Sequence, residues 1–472
     1  MTASALALPP LRTRLRTPGF AMLAICFAQA LVLLDTTVIN IAFAEMMRGL
    51  HASVEQMLWI TNSYLVSYAV LLVPGGRLGD LFGMRRVMLV GLAVFTVASA
   101  ACGFAQHPEQ VIVGRAVQGV GAALLAAQAM AIITRVYPAE QRGRALGVWG
   151  AFAGLATAAG PTVGGLLAAT VGWRGIFFIN LPVGLIGAVL VLLAVPRLRA
   201  EVRSRLDVTG ALLLAAAIFL VVYPLISGER YGWGRVWGPV TIPMLFAAAV
   251  VVLGVFALVQ WHQQGRDPLL PFALLRDRNF AIASAVIGVI PGAVAAMLLL
   301  IPLYLQTAHR WSAFQAGLLI AVPPFVSVVV ARRSGRLSDR WGGKYVLMLG
   351  LLLFGLGMAM QLMGVGAHRS WLLLLPGLAV TGVGMGVAFA PSVAVAMRDV
   401  PPQFAGVASG VFNTTRLCGS LVYTASVGAL LQVFLSRGDI FLAVRNTYAI
   451  PVLTLLAGAL ATMAVRQRKD TV

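Results

Sequence analysis

The feature that most constrains this chain is a series of long apolar runs that follow one another over almost its whole length. Many reach the roughly 20 residues that a helix needs to cross the hydrocarbon core of a bilayer. Only 11% of the 472 residues are charged, against about 25% in an ordinary soluble domain. The alternating ten-residue strands of a membrane barrel do not occur in the sequence. The sequence therefore predicts an all-α polytopic membrane protein.

Fourteen such runs can be placed along the chain, separated by short loops. Their predicted ranges are 20–44, 56–76, 87–106, 109–134, 144–170, 175–195, 208–227, 240–261, 280–305, 313–334, 345–364, 371–396, 405–434 and 447–465. With the N-terminus inside, 25 lysines and arginines fall in inside loops and tails or at the span ends that border them, and eight fall in outside loops. Because basic residues favour the cytoplasmic side, the sequence predicts a multi-pass protein of the bacterial inner membrane with both termini cytoplasmic.

The net charge of +20 does not indicate a nucleic-acid partner, because the basic residues lie in short loops between apolar runs. There they face anionic lipid headgroups, so membrane lipids are expected partners. Cys26, Cys102 and Cys418 fall inside apolar runs and indicate neither a disulfide framework nor a zinc site. The five histidines lack the spacing of metal ligands, and the sequence contains no ATP-binding loop. We predict no metal, no organic cofactor and no enzyme activity.

An internal repeat organises the sequence. The stretch 76–83 recurs as 335–342, with Gly, Asp and Gly at the same spacing and an offset of 259 residues. The stretch 119–121 recurs as 382–384, with an offset of 263 residues. Six spans with their loops occupy about 180 residues, so the offset leaves room for two further helices between the copies. Internal halves of this kind are typical of secondary transporters, which bind substrate between the halves near the middle of the membrane.

The repeat predicts a plan of six, two and six helices. The predicted divisions are an N-terminal cytoplasmic tail (1–19), an N-terminal six-helix bundle (20–195), two inserted helices (196–265), a cytoplasmic linker (266–279), a C-terminal six-helix bundle (280–465) and a cytoplasmic tail (466–472).

Five motifs occur in order along the N-terminal half. They are 34–40 (LDTTVIN), 76–86 (GRLGDLFGMRR), 115–121 (RAVQGVG), 154–165 (Gly154 through Gly-Pro to Gly165) and 173–182 (WRGIFFINLP). Together with the span count, they resemble the major facilitator superfamily, and within it the fourteen-helix drug:proton antiporters that act in multidrug efflux. The resemblance implies a monomer that exports small hydrophobic or cationic compounds, with the proton as coupling ion.

Asp35 and Arg115 are the candidate proton-coupling residues. A carboxylate inside a membrane helix is costly unless it is paired, hydrated or protonated, and burial makes it a proton acceptor in the physiological range. The resemblance places the first and fourth spans side by side, which implies electrostatic coupling between Asp35 and Arg115, with Gln118 one turn further on. The alternatives are a purely structural acid for Asp35 and, for Arg115, a side chain that extends to the interface.

The repeated loop is the candidate gate. Its residues are Gly76, Arg77, Asp80, Gly83, Arg85 and Arg86 in the first copy, and Gly335, Asp339, Arg340 and Gly342 in the second. An acid at this position can meet a helix N-terminus or a nearby arginine and hold one side of the transporter closed. Leu81 and Met84 depart from the pattern of the resembled family, which leaves Arg77, Arg85 and Arg86 as partners for Asp80. The alternative is a solvated basic loop.

The fifth span contains the small-residue motif Gly154, Gly160, Pro161 and Gly164. Small residues let helices approach closely, and proline removes a backbone donor. The resemblance implies that this surface seals the two halves together in an exporter. Ordinary tight packing is the alternative.

The substrate-binding residues are the least specific part of the prediction. The candidates are Asn40, Trp59, Tyr64, Gln118, Trp149, Phe152, Tyr304, Phe389, Phe412, Asn413 and Arg416. Aromatic walls suit adaptable hydrophobic binding and cation–π contacts, although each side chain could equally pack or face lipid. The thirteenth span contains no Asp or Glu, which argues against dicationic substrates and suggests few protons per cycle.

Three other functions stay open at this stage. A lipid or natural-product exporter of the same fold predicts activity toward amphiphiles and a lateral opening. Uptake of a polar nutrient is disfavoured by the scarcity of charge in the central spans. A membrane sensor or scaffold that transports nothing is disfavoured by the two gate copies and by Asp35.

Overall fold

The computed structural model describes residues 17–196, 207–264, 268–341, 343–366, 370–400, 405–436 and 439–466. All fourteen predicted spans are helical. Their bounds are Pro18–Ile41, Val54–Phe82, Met84–Phe104, Pro108–Val136, Ala139–Thr170, Gly175–Phe178 with Asn180–Ala194, Val208–Ser227, Ile242–His262, Arg278–Ala308, Ala313–Ile320 with Val322–Trp341, Gly343–Gln361, Leu374–Met397, Ala405–Leu435, and Ile440–Thr447 with Ala449–Thr462. Within the described residues, thirteen of these are long and apolar enough to cross a membrane, the fifth span being the exception.

Polar residues at the helix ends define where several spans begin. Ser53 Oγ accepts a hydrogen bond from Gln56 N, and the Gln56 side chain accepts one from Ser53 N, which together cap the second span. Asp207 and Asp277 cap the seventh and ninth spans. Each carboxylate accepts a hydrogen bond from the backbone N–H three residues further along the chain. The second span ends at Gly83, whose φ of 91° suits glycine and turns the chain directly into the third span.

Short elements complete the chain between the spans. They are the helices Phe43–Gly49 and Phe272–Arg276, the 3-10 turns Glu229–Tyr231, Leu362–Gly364 and Trp371–Leu373, and an antiparallel ribbon of Arg235–Trp237 with Val240–Thr241. The ribbon lies in the loop between the seventh and eighth spans. It is the only sheet in the part of the chain that the structure describes, so the all-α prediction is confirmed.

The two halves pack their helices in the same pattern. In the first half, the first span packs against the fifth and sixth, and the fourth against the second and third. In the second half, the ninth packs against the thirteenth and fourteenth, and the twelfth against the tenth and eleventh. Repeated glycines permit the closest approach, because a Cβ at Gly121 would collide with the Phe95 backbone and one at Gly384 with the Phe354 backbone.

Contacts between the halves join the fifth span to the tenth, the second to the thirteenth and the first to the ninth. We call the end of the bundle that holds Pro18 and Thr462 the terminal end, and the opposite end, which holds Ile41, the far end. Gln306 Nε2 donates to the Ile41 carbonyl at 3.2 Å across the halves at the far end. Gly428 of the thirteenth span packs on Leu58 of the second span near the same end.

The two inserted helices lie beside the seam between the halves. The seventh span packs against both the second and the thirteenth spans, and the eighth span packs mainly on the seventh. The eighth span leaves large apolar side chains such as Val250 and Leu258 exposed. At the terminal end, Gln260 Nε2 donates to Asp207 Oδ2 at 2.6 Å, which ties the two inserted helices together.

Candidate functional site

A buried ion pair joins the first and fourth spans. Arg115 Nη1 lies 2.5 Å from Asp35 Oδ2, and the two side chains are only 1% and 3% exposed. Because a charged group in a low-dielectric interior is stable only with compensating partners, the pair explains how both side chains are accommodated at this depth. The structure does not support the alternative in which Arg115 extends to the interface.

Two amide groups bond to the other oxygen of the carboxylate, and one hydroxyl group bonds to the second amide. Asp35 Oδ1 accepts hydrogen bonds from Gln118 Nε2 at 2.9 Å and from Asn180 Nδ2 at 3.0 Å. Asn180 Nδ2 also lies 3.0 Å from Ser99 Oγ, which itself donates to the Phe177 carbonyl. Four spans, the first, third, fourth and sixth, therefore meet at one carboxylate.

The guanidinium of Arg115 has its own set of partners beyond Asp35. It donates to Gln118 Oε1 at 2.7 Å and, through Nε, to the Ile60 carbonyl at 3.4 Å. Its carbon lies 4.1 Å from the centre of the Tyr64 ring, a cation–π contact with the second span. Arg115 thus keeps several favourable contacts even if Asp35 loses its negative charge.

Two members of this cluster were not among the predicted site residues. Asn180 lies inside the quoted 173–182 motif, where an amide directly before Leu-Pro in an apolar span was the available signal. Ser99 stands in a run of small residues and offered no signal of its own. Both side chains are fully buried, and only the packing of the third and sixth spans brings them to Asp35.

The C-terminal half has a neutral cluster in place of the charged one. Tyr448 Oη donates to Gln361 Oε1, and Gln361 Nε2 donates to Thr381 Oγ1 at 2.8 Å. Thr381 lies 263 residues after Gln118, the offset of this part of the repeat. The cluster joins the eleventh, twelfth and fourteenth spans without an acid or a base among these three residues. The buried ion pair of the N-terminal half therefore has no charged counterpart in this cluster.

The first gate copy differs in shape from its prediction as a loop. Residues 76–82 continue the second helix, and only Gly83 breaks it, so the predicted loop is wrong for this stretch. The helix continues through Gly75, Gly76 and Gly79, and a Cβ at Gly79 would collide with the Gln128 side chain of the fourth span, so this glycine permits close packing. Asp80 Oδ1 lies 3.7 Å from Arg135 Nη2 of the fourth span, a partner not foreseen, and both side chains are partly exposed. Gly76 has no atom near its missing side chain.

The other basic residues of this copy take separate positions. Arg85 donates from Nη2 to the Leu192 carbonyl at 2.5 Å and so joins the third span to the end of the sixth. Arg77 is half-buried and Arg86 is exposed. In the second copy, the backbone of 335–341 is helical, which again replaces the predicted loop. The side chains of Asp339 and Arg340 and the surroundings of Gly335 are not described, and Gly342 lies outside the described residues.

The small-residue motif lies between the first and tenth spans. A Cβ at Gly160 would collide with the Thr37 side chain, and one at Gly164 with Val38, both on the first span. On the other face, the Pro161 carbonyl contacts Gly317 of the tenth span. Two further positions follow the same seam: Gly165 packs on Ala313, and Gly154 faces Val328. The fifth span thus connects the first span of one half to the tenth span of the other.

Several predicted substrate residues have other contacts in the structure. The Trp59 ring packs against Phe219 and Tyr223 of the seventh span, so it faces the inserted helix. Tyr304 is fully buried and its hydroxyl bonds within the C-terminal half to His309 and to the Gly364 carbonyl. Six others divide as follows: Tyr64 and Gln118 belong to the ion-pair cluster, Asn40 donates to the Thr36 carbonyl of its own helix, Phe412 is buried, and Phe152 and Phe389 are exposed.

Of the remaining candidates, Arg416 and Asn413 lie where the thirteenth span packs against the second. The Arg416 side chain hydrogen-bonds to the Tyr68 hydroxyl, and its Nε donates to Asn413 Oδ1 at 3.4 Å. Trp149 of the fifth span packs on the hydrophobic cluster that contains Tyr68 and Leu417. Groups of three or more metal-ligating side chains are not found among the described residues.

Comparison with known proteins places this architecture. The family model described as Major Facilitator Superfamily matches residues 25–424. The chain is 34% identical to "Multidrug resistance protein Stp" of Mycobacterium tuberculosis, over 89% of this chain and 77% of that protein. It is 36% identical to a "Probable actinorhodin transporter" of Streptomyces coelicolor, over 85% of this chain and 70% of that protein.

The solved structures agree with the fold. A POT family transporter in complex with 5-aminolevulinic acid superposes with a TM-score of 0.71, covering 95% of this chain and 96% of its own, at 14% identity. This likeness, the helical pattern and the family match confirm the predicted fold of two six-helix bundles with two inserted helices. The chain therefore belongs to the Major Facilitator Superfamily.

Proposed function

We propose that this protein is a drug:proton antiporter that exports small hydrophobic compounds across the bacterial inner membrane. The named multidrug and antibiotic-export relatives support efflux, and membership of a transporter superfamily makes the chain a secondary transporter rather than an enzyme. We place both termini in the cytoplasm, so that the terminal end faces inside and the far end faces outside.

The observation that carries this proposal is the buried pair of Asp35 and Arg115. A proton bound at the Asp35 carboxylate cancels the charge that attracts Arg115, while the guanidinium keeps Gln118, the Ile60 carbonyl and the Tyr64 ring. The proton therefore weakens the link between the first and fourth spans without leaving Arg115 bare. In this scheme the proton is the only coupling ion, and one carboxylate takes up one proton per cycle.

The packing offers a direct route from the proton site to the seam between the halves. Thr37 and Val38, two and three residues after Asp35, are the residues on which Gly160 and Gly164 of the fifth span pack. The opposite face of that span contacts the tenth span through Pro161. A shift of the first span on protonation would thus move the helix that holds the halves together.

Alternating access requires that the two ends of the seam close in turn. The contacts of Gln306 with Ile41, of Gly428 with Leu58 and of Gly165 with Ala313 close the far end. We assign this arrangement to an inward-facing state, from which rocking of the two bundles would separate the far-end contacts. In the outward-facing state, Asp80 and its repeat partner Asp339 would hold the terminal end closed.

The substrates expected from the resemblance are hydrophobic or cationic drug-like compounds, taken up at the seam by a monomeric transporter surrounded by lipid. A second candidate, export of an amphiphile such as a lipid, is favoured by one observation. A crevice of about 250 Å³ separates the second and seventh spans toward the terminal end, lined by residues such as Val70, Pro74 and Leu212. Such a crevice suits lateral entry of an acyl chain.

The test is transport into everted membrane vesicles with three aromatic probes, one cationic (ethidium), one anionic (fluorescein) and one neutral. We expect gradient-dependent uptake of at least one probe, abolished by a protonophore and by Asp35→Asn. Asp399→Asn, at the terminal end of the twelfth span, is the matched control. Transport that survives Asp35→Asn would remove the coupling site, and absence of gradient-driven transport of all three would contradict the antiporter. Movement of a labelled lipid alone would favour the second candidate.

A further inference from the structure

We infer that the exported compound carries a negative charge, an aromatic carboxylate or phenolate, which binds to Arg416 at the seam. The inference rests on the proposed proton-coupled export and names the substrate class of its seam, which differs from the cationic class that the resemblance implies. The relevant groups are Arg416 and Asn413 of the thirteenth span, Tyr68 of the second and Trp149 of the fifth. They come from both halves of the protein, as a substrate site between rocking bundles requires.

Arg416 lies well inside the membrane part of the chain. It stands about a third of the way along Ala405–Leu435, and its partner Tyr68 stands at the middle of Val54–Phe82. The arginine side chain is half-buried, whereas Tyr68 is only 4% exposed. The charge therefore lies across the seam rather than at either end of a helix, where an arginine could reach water or headgroups.

The positive charge of Arg416 has no acidic partner in the described structure. Its side chain bonds to the Asn413 amide and the Tyr68 hydroxyl, which are both neutral, and no described carboxylate lies within 4.0 Å of it. Asp35 is occupied by Arg115, and its side chain is 3% exposed. An arginine inside a membrane protein is costly unless it is paired, and the usual reason to retain one is a ligand.

The fifth span adds one unpaired donor among the described residues. Trp149 Nε1 is buried without a hydrogen-bond partner, and its side chain packs on the hydrophobic cluster to which Tyr68 and Leu417 also belong. Buried polar groups are nearly always paired, so this indole N–H is available to a bound acceptor. Guanidinium binds planar carboxylates through two parallel bonds, and the flat Trp and Tyr rings suit an aromatic body.

The charge of the substrate determines the current that transport carries. With one proton entering per cycle, export of a monovalent cation moves no net charge. Export of a monovalent anion moves two positive charges inward, so the inside-negative potential would drive it directly. Export of a neutral compound moves one charge, so a current of two charges per exported molecule is the signature of a monovalent anionic substrate and does not depend on any variant.

The experiment uses purified protein in proteoliposomes, with fluorescein and ethidium as probes and with Arg416→Gln, Arg416→Lys and Arg398→Gln as variants. Arg398 is an exposed arginine at the terminal end of the twelfth span and serves as the matched control. We expect wild type to transport fluorescein with an inward positive current. Arg416→Gln should raise the KM for fluorescein at least tenfold. Arg416→Lys keeps the charge but not the two-bond geometry, so it should retain only part of the affinity, and Arg398→Gln should change neither the KM nor the current.

Asp35→Asn in the same vesicles separates the two proposals. Fluorescein transport that needs Asp35 but keeps its KM in Arg416→Gln would overturn the anion site and leave the antiporter standing. Electroneutral transport of ethidium, without transport of fluorescein, would also overturn the anion site and leave the antiporter standing. Fluorescein transport that is indifferent to the proton gradient and to Asp35→Asn would overturn the antiporter itself, whatever Arg416 does. Ligand-free thermal unfolding of each variant shows that a change in KM is not a loss of fold.

Discussion

Arg115 and Asp35 stand 80 residues apart in the chain, yet they form a direct ion pair whose side chains are almost completely shielded from solvent. The pair is the centre of a cluster that draws in Gln118, Asn180 and Ser99 from the neighbouring helices. Because all of these contacts lie within the N-terminal half, a change of charge at Asp35 acts first on the packing of that half. It can reach the other half through the fifth span and through the contacts of the first span with the ninth.

The ion pair itself predicts a double-variant result. Arg115→Leu leaves Asp35 as a buried charge without its counterion, which is expected to cost about 3 kcal/mol or more of stability. Asp35→Asn combined with Arg115→Leu removes both charges and should recover most of that loss. Thermal unfolding in detergent measures the stability. A double variant as unstable as Arg115→Leu alone would contradict a charge-pair origin, and neither variant should restore proton-coupled transport.

Asn180 is predicted to hold the Asp35 carboxylate in position. Its amide donates to Asp35 Oδ1, and an unpaired buried acceptor is costly. Asn180→Leu removes this donor and should lower gradient-driven transport of the probes. Ser99→Ala touches the carboxylate only through Asn180 and should lower transport less. Unchanged transport by Asn180→Leu at equal protein amount would contradict this role.

The fifth span is predicted to tolerate no side chain where it packs on the first. Gly160→Leu places its Cβ into Thr37, so the first and fifth spans must separate. We expect transport to fall at least tenfold while the protein still reaches the membrane, as measured by probe uptake against the amount of protein. Gly254→Leu in the eighth span is the control, because a Cβ there meets no atom within 4 Å. Equal transport by both variants would exclude a special role for the motif.

The seventh span is predicted to stabilise the closed far end by bonding to both halves. Ser227 Oγ donates to Glu55 Oε1 at 2.6 Å, and Gln432 Nε2 donates to the Ile226 carbonyl at 3.1 Å. Interhelical hydrogen bonds in membranes contribute about 0.6 kcal/mol each, so Gln432→Leu should shift the equilibrium modestly toward the outward-open state.

Labelling of a single cysteine placed at Leu58 would report that shift, because Leu58 packs under Gly428 when the far end is closed. We expect faster labelling in Gln432→Leu and no change in the control Ser436→Ala, whose hydroxyl bonds only to its own helix. Slower labelling in Gln432→Leu would show that the seventh span opens the far end instead. The native cysteines Cys26 and Cys102 are buried and add little background, and the half-buried Cys418 is replaced by serine in all variants.

The sequence by itself determined the fold class, the fourteen spans and the two-fold repeat with its inserted pair, and it singled out Asp35 and Arg115 as candidates. The length of the hydrophobic runs and the repeated glycines are local properties of the chain, so they can be identified without knowing which helices pack together. Even the pairing of Asp35 with Arg115 was accessible, because two opposite charges at the same membrane depth have few other partners.

Only the tertiary structure decided which residues complete the site. Asn180 and Ser99 reach Asp35 because the sixth and third spans pack beside the first, and no pattern within either span indicates that approach. The ring of Trp59 packs against an inserted helix, which its own span does not indicate. Arg416 stands out only when its surroundings are known, since whether a charge is compensated depends on side chains from other parts of the chain.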